Sequence, residues 1–406
     1  MEGSSQTNKH FWKGALCGAL AMFLVIGAAL AVLNGRSTGV LRRTDSGTAQ
    51  VDAETEKKLE KLKSLIDEKY LYSEELDEKD LKEGLYSGYI DALGDPYSVY
   101  YGEEEMQKLL ESTSGEYSGI GVVMSQNRDT KLTKAVTVYK NSPAEKAGIQ
   151  EEDIFYKVDG EEVGSWDISK LAQTVRGEKG TKVTVTVLRG EEAEELDFVI
   201  TRDVVEVETV LYEMKEGQTG YIRVAEFDDV TRGQFETALN ELEQAGAKGL
   251  VIDLRNNPGG NVSTVTQMLD LLLPEGVIVY TEDKYGEKKY MTSDEEHQYT
   301  KPVAVLVNGN SASASEIFAG AIQDYELGPI VGTTSYGKGV VQEIVNLGDG
   351  TCVKLTISEY YTPKGRSINK KGIEPDVNVE YELNEADPEA DNQLDAALEQ
   401  IRQRTK

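Results

Sequence analysis

Histidine is almost missing from this chain of 406 residues, which has two, His10 and His297. His10 stands just ahead of an apolar run and His297 in the polar stretch 293–298, so a Ser-His-Asp arrangement is poorly supplied with bases. Cysteine is equally sparse. Cys17 falls in the apolar run and Cys352 far downstream, which excludes a disulfide framework. No CxxC or HExxH pattern occurs, and two distant histidines give zinc little to hold, so neither a metal nor another cofactor is expected. Basic charge is short too: 43 Lys and Arg stand against 72 Asp and Glu, a formal net charge of -29. A phosphate-binding surface needs a basic footprint, and its absence excludes nucleic acid as a partner.

The length implies two or three globular units. Gly14 to Leu33 is an uncharged, almost wholly apolar run, long enough as a helix to cross a bilayer core of roughly 30 Å. Phe11 and Trp12 suit its interface. A signal-peptide core is shorter, roughly 7–15 residues, although Ala29-Leu30-Ala31 would serve as a cleavage site. The reading adopted is an uncleaved anchor at 14–33, a cytoplasmic segment at 1–13 and an extracytoplasmic remainder in the cell membrane. The basic residues on either side, Lys9 and Lys13 against Arg36, Arg42 and Arg43, do not decide the orientation. Residues 34–52, rich in Gly, Ser and Thr, read as a stalk.

Leu59, Leu62 and Ile66 recur at helical spacing, as do Leu81, Leu85, Tyr89 and Leu93, before Gly94-Asp95-Pro96 breaks the pattern. Residues 53–114 are thus expected to be a helical region for packing or for a homo-oligomer. From 115 to 203 the pattern changes to short strands, as in Gly119 to Met124, Ala135 to Val138 and Lys182 to Val187. Two short helices interrupt them: one opens on Ser142-Pro143-Ala144-Glu145 and stops at Gly148, and the other runs from Asp167 to Arg176 before Gly177. This segment resembles a bacterial PDZ domain in Gly119-Ile120-Gly121, Ser142-Pro143-Ala144, Ala147-Gly148 and Asp153-Ile154 with Val158-Asp159-Gly160. Consecutive N–H groups at Gly119, Ile120 and Gly121 can capture a terminal carboxylate while a strand edge pairs with an extended tail.

Residues 204–382 alternate apolar strands, Gly249 to Leu254 and Val303 to Val307, with helices, Asn261 to Leu273 and about Ser313 to Tyr325. Continuous apolar strands between helices predict a parallel α/β core. Residues 383–406 form an acidic C-terminal segment with a short helix, Gln393 to Arg402.

Two motifs in this core carry chemistry. Ser313 follows the Val303 to Val307 strand and opens a helix. With Glu316 three residues on it makes a capping box, and a serine there also lies beside unpaired helix N–H groups, so Ala314 N–H can bind an oxyanion. Lys338, between Gly337 and Gly339, would act as a base once burial lowers its pKa from about 10.4, and Gln342 supplies an orienting hydrogen bond. As an isolated match, Gly-Lys-Gly is a solvated turn. The turn Asn256-Asn257-Pro258-Gly259-Gly260 offers a second close-approaching N–H, and without a Gly-Lys-Ser/Thr ending it is not a phosphate loop.

Asp253 to Gly260, Ser311 to Glu316, Gly337-Lys338-Gly339 with Gln342, and Tyr361 to Ile368 with Gly372 to Asp376 resemble the carboxy-terminal processing (tail-specific) serine proteases over nearly everything after the stalk. The resemblance implies an endopeptidase acting on polypeptides with free C-termini. It implies Ser313 as nucleophile, Lys338 as base, Gln342 as orienter, and oxyanion donors from Ala314 and Gly259 or Gly260. Ser311 and Ser315 are the rivals to Ser313, and the family's serine-to-lysine spacing selects the middle serine. Similar proteases carry an arginine in a segment like Val175-Arg176-Gly177, near the peptide groove; by position alone Arg176 is a cation at a helix C-terminus. The alternatives are an inactive PDZ scaffold and an acyl-transfer or esterase enzyme on a related core. The peptidoglycan-binding module that several members carry has no counterpart in the acidic C-terminal segment.

Overall fold

A computed structural model describes residues 52–384, 386–387 and 390–405, which divide between Asp77 and Glu78 into two units. The expected membrane helix Gly14–Leu33, the segment before it and nearly all of the stalk lie outside the described residues. Among the described residues no helix is long and apolar enough to cross a membrane. In the first unit α1 (Ala53–Lys69) starts at Asp52, whose carboxylate accepts from Thr55 N–H at 2.9 Å, an N-cap that satisfies an otherwise orphaned donor. Its apolar stripe is not buried.

The second unit begins with α2 (Glu78–Asp91), β1 (Val99–Tyr101) and α3 (Glu103–Ser114). The sequence groups 53–114 as one helical region. The structure instead gives β1 to a protease sheet, since an edge strand is recruited by pairing with a distant partner, which no local periodicity reveals. Between β2 (Glu116–Gly119) and β9 (Asp203–Glu206), antiparallel to each other, lies the PDZ-like domain. Its elements are β3 (Val122–Gln126), β4 (Thr133–Val138), α4 (Pro143–Ala147), β5 (Ile154–Val158), β6 (Glu161–Glu162), α5 (Ile168–Val175), β7 (Lys182–Arg189) and β8 (Glu194–Thr201). The sheet order is β3-β4-β5-β7-β8, with β6 on β5, so β3 is an edge. Its core gathers Ile120, Phe155, Leu171, Val185 and Ile200. Both short helices start as expected, with Ser142 Oγ accepting from Glu145 N–H and Asp167 from Lys170 N–H.

The remaining chain builds two sheets. Its elements are β10 (Val210–Lys215), β11 (Thr219–Val224), α6 (Thr231–Gln244), β12 (Gly249–Asp253), α7 (Val262–Asp270), β13 (Gly276–Asp283), β14 (Lys288–Ser293), β15 (Val303–Val307) and α8 (Ala314–Asp324). There follow β16 (Ile330–Gly332), β17 (Val340–Asn346), β18 (Cys352–Tyr361), β19 (Val377–Asn378) and α9 (Asn392–Arg404). The first sheet runs β10-β11-β12-β15-β16-β19, parallel except for the β10 edge. Every residue of β12 and β15 is buried, as expected of parallel strands covered on both faces. One face packs on α6, α7 and α8. The other is covered by α9 through Ala397, Leu398 and Ile401, so the C-terminal helix belongs to the core. The second sheet, β1-β18-β13-β14 with β17 also on β18, is antiparallel.

Candidate active site

Three loops meet at the carboxyl edge of the parallel strands, where open α/β sheets bind ligands: 254–260 after β12, 308–313 after β15 and 333–338 after β16. Ser313 sits between β15 and α8 at φ 56° and ψ -113°, a conformation that non-glycine residues adopt only when their surroundings enforce it. Its neighbours are committed elsewhere. Ser311 Oγ donates to Leu254 O at 2.8 Å and Ser315 Oγ to Asn257 O at 2.9 Å, both fully buried, whereas Ser313 is half-buried. The three serines therefore separate into two struts and one accessible hydroxyl.

Glu316 closes the expected capping box by accepting from Ser313 N–H at 2.8 Å, and does more. The same oxygen, Oε2, accepts from Lys338 N–H at 2.9 Å, while Oε1 takes Ser335 Oγ and Gly337 N–H, each at 2.6 Å. One fully buried carboxylate thus ties the serine turn to the lysine loop. A second tie comes from β18. The buried Tyr360 hydroxyl donates to Ser313 O at 3.0 Å and shares its hydrogen with Lys338 O, and burial holds its phenol well above the ordinary range.

Lys338 is not on a solvated turn. A Cβ at Gly339 would come within 2.4 Å of Asn369 N, so only glycine lets the two loops close on each other. Burial pulls the Lys338 ammonium below its ordinary pKa and nearby Lys354 adds to this, while Asp95 and Glu316 oppose it. The net direction is the one a lysine base requires. Gln342 lies four residues on in β17, where its Nε2 donates to Thr356 Oγ1 at 3.1 Å rather than to Lys338.

Gly259 lies directly against the serine: a Cβ there would approach Ser313 Cβ to 2.8 Å and Ala314 N to 3.1 Å. Its N–H donates to Asn257 Oδ1 at 2.8 Å. Gly260 is exposed and bridges Phe227. The amides of Ser315, Glu316 and Ile317 are taken by the carbonyls of Ala312 and Ser313, which singles out Ala314 N–H at the start of α8. His297 lies in the exposed loop before β15, at the opposite edge of the sheet.

In the PDZ-like domain a cavity of about 200 Å³ is lined by Ile120, Gly121, Met124, Ala172, Val175 and Arg176 among others, between the open β3 edge and α5. Gly121, at φ +84°, packs on Ser142, to whose Cβ an added Cβ would come within 2.4 Å. Arg176 caps α5, but its guanidinium reaches out of the domain, to Glu111 Oε2 on α3 at 2.9 Å and over the Tyr117 ring at 4.5 Å. Sequence reasoning missed Glu316 as a tie to Lys338, and Tyr360 altogether. The first was visible only as a capping residue, and the second stands in Glu359-Tyr360-Tyr361 beside a motif without being singled out.

A mixed α/β core with a serine at a strained strand-to-helix turn, joined to a PDZ domain, defines a PDZ-bearing serine peptidase. Residues 218–379 match the model of peptidase family S41, residues 135–189 that of the PDZ domain, and residues 16–105 that of the activating protease CtpB N-terminal domain. Over 358 residues the chain is 36% identical to carboxy-terminal processing protease CtpA of Bacillus subtilis (strain 168), covering 88% of this chain and 75% of the relative. Over 339 residues it is 37% identical to CtpB of the same strain, covering 82% and 70%. The chain belongs to the carboxy-terminal processing proteases of peptidase family S41 and is a serine-type peptidase. In fold it is similar to a crystal structure from Bacteroides fragilis NCTC 9343 assigned to the S41 proteases, with a TM-score of 0.51 at 16% identity over 79% of this chain and 90% of that one.

Proposed function

We propose that the protein is a membrane-anchored extracytoplasmic endopeptidase that captures the free C-terminus of a polypeptide in its PDZ domain and cleaves by a Ser313/Lys338 mechanism. The observation that carries this reading is the double tie of Ser313 to Lys338 through Glu316 and Tyr360. Neutral Lys338 Nζ takes the Ser313 Oγ proton as the oxygen attacks the scissile carbonyl carbon. The oxyanion is held by Ala314 N–H and, because Gly259 N–H is spent on Asn257, by Gly260 N–H. Collapse expels the amine, which receives the proton from Lys338. Water then deacylates the ester with Lys338 again as base. Gln342, its Nε2 held by Thr356, offers Oε1 to the ammonium as orienter.

Tail capture is supported by the open edge of β3 beside the cavity that Ile120, Gly121, Met124 and Val175 help to line, the arrangement that β-augmentation needs, with Gly119 just ahead of it at the end of β2. The apolar run Gly14–Leu33 supports the anchor. A homo-oligomer through the helices of 53–114 is consistent with their exposed Leu62, Leu81, Leu85 and Tyr89. The test is cleavage of an unfolded polypeptide by folded Ser313→Ala and Lys338→Ala variants: each is expected to lose nearly all activity, and Gln342→Ala less. Normal turnover by either of the first two overturns the mechanism.

A further inference from the structure

The turn 95–98 joins α2 to β1 more than two hundred residues ahead of the serine, yet it reaches the lysine. The Tyr97 ring centroid lies 4.8 Å from Lys338 Nζ. The turn is fixed from within, Asp95 accepting from Tyr97 N–H at 3.1 Å and from Ser98 Oγ at 2.6 Å. It is also fixed from outside: buried Ser98 accepts from Thr356 N–H at 3.1 Å, and Thr356 is the residue that holds Gln342. Pairing of Val99 with Lys354 in β18 sets the register. A tyrosine anchored this firmly over an ammonium does more than fill space.

We infer that Tyr97 is a positioning residue of the active site, which covers Lys338 Nζ and tunes its basicity. The inference rests on Lys338 serving as the base. Two effects of the ring oppose each other. Its face attracts the cation, by about 0.5–2 kcal/mol across exposed and desolvated settings, and so favours the protonated lysine. Its bulk keeps water from the ammonium and so favours the neutral amine. Charged and titratable neighbours of Lys338 are Asp95, Glu316 and Lys354, with the phenols of Tyr97, Tyr360 and Tyr336 around them. Substitutions can therefore separate the face from the bulk.

Tyr97→Leu keeps most of the cover and removes the π face, so the lysine releases its proton more readily. The acid limb of kcat/KM against pH is expected to move down by about half to one unit. Tyr97→Ala loses the face as well but admits water, so its limb lies above that of Tyr97→Leu, and Tyr97→Phe leaves the limb where it was. A purely structural tyrosine would lower activity without moving the limb. The measurement is the pH profile of the full-length protein on an unfolded polypeptide, with melting curves for each variant. Limbs that coincide in folded Leu and Ala variants overturn the inference. Should truncation unfold the protein, Tyr97→Trp strengthens the π face and moves the limb up; an unmoved limb there overturns the inference equally. Titration of Lys338 by [ε-¹³C]lysine NMR, assigned by its loss in Lys338→Ala, separates the two readings. Retained activity in Lys338→Ala defeats the Ser/Lys mechanism, whereas a Lys338 signal that titrates alike in wild type and all Tyr97 variants defeats the role of Tyr97.

Discussion

The loop 254–260 has two flanks, held in opposite ways. On the serine side a buried carboxylate, Glu316, takes four donors from three points of the chain, and Tyr360 adds a second tie. On the side toward the PDZ domain lies Asp228, also buried, with Glu226 and Asp229 as its electrostatic neighbours. Beyond it Asn261 links Asp229 and Thr113, at the end of α3. The outermost tie is the Arg176–Glu111 pair, about half exposed on both sides. Donors that fill a carboxylate's acceptor sites make one arrangement rigid, while like charges and solvated pairs leave several arrangements close in energy. The proposed chemistry therefore sits on the fixed flank and the proposed tail capture on the adjustable one.

The sharpest way to break this contrast is at Glu316. Glu316→Gln keeps the shape but turns one acceptor oxygen into an amide that confronts N–H donors, leaving buried groups unpaired. A loss of roughly 2–4 kcal/mol is expected, together with a fall in turnover of about a hundredfold as Ser313 and Lys338 lose register. Denaturant melts and initial rates read the two effects. A variant as stable and active as wild type would mean that Glu316 only caps α8.

The adjustable flank should respond in the opposite proportion. A half-exposed pair is worth about 0.2–1 kcal/mol, so Arg176→Ala should barely move the melting temperature. If Arg176 exchanges Glu111 for a substrate carboxylate, cleavage of C-terminally free polypeptides should fall roughly fivefold or more. Arg176→Lys should restore it only in part, since an ammonium lacks the two-pronged fork. Glu111→Gln frees the arginine without removing it and should narrow the gap between free and blocked substrates. Unchanged rates in Arg176→Ala would reduce the pair to a helix-end charge.

What the sequence discloses follows the same division. Ser313, Lys338 and the glycines around them are legible because each stands in a short local motif, and β12 and β15 because burial on both faces leaves continuous apolar runs. The β1 and β18 pairing, the reach of Tyr97 over Lys338 and the extra partners of Glu316 join residues far apart in the chain, and no local pattern signals them. Arg176 is legible as a helix-end cation, but its partner Glu111 is not, because residues 103–114 read only as part of a longer helical region. The apolar stripes of α1 and α2 predict helices correctly while implying a burial that does not occur within the described residues.

The smallest expected effect on turnover comes from Asp228, whose effect on stability depends on pH. Burial first, then Glu226 and Asp229, push its carboxyl from 3.8 up to about 7. The folded chain thus keeps a proton that the unfolded chain releases, so rising pH favours unfolding between about 4 and 7, and the penalty is constant above that. Asp228→Asn removes the titration. Its melting temperature should exceed that of wild type at pH 8, with the gain shrinking as pH falls through 7 and gone only below 3.8, where the wild-type carboxyl is protonated in both states. Glu316→Gln should show the reverse sign at pH 8, a loss instead of a gain, although both substitutions replace one buried carboxylate by an amide. Melting curves of the two variants at pH 8 and pH 5 make the comparison. An Asp228→Asn gain equal at both pH values would show that Asp228 titrates as an ordinary carboxylate and that the two flanks are held alike.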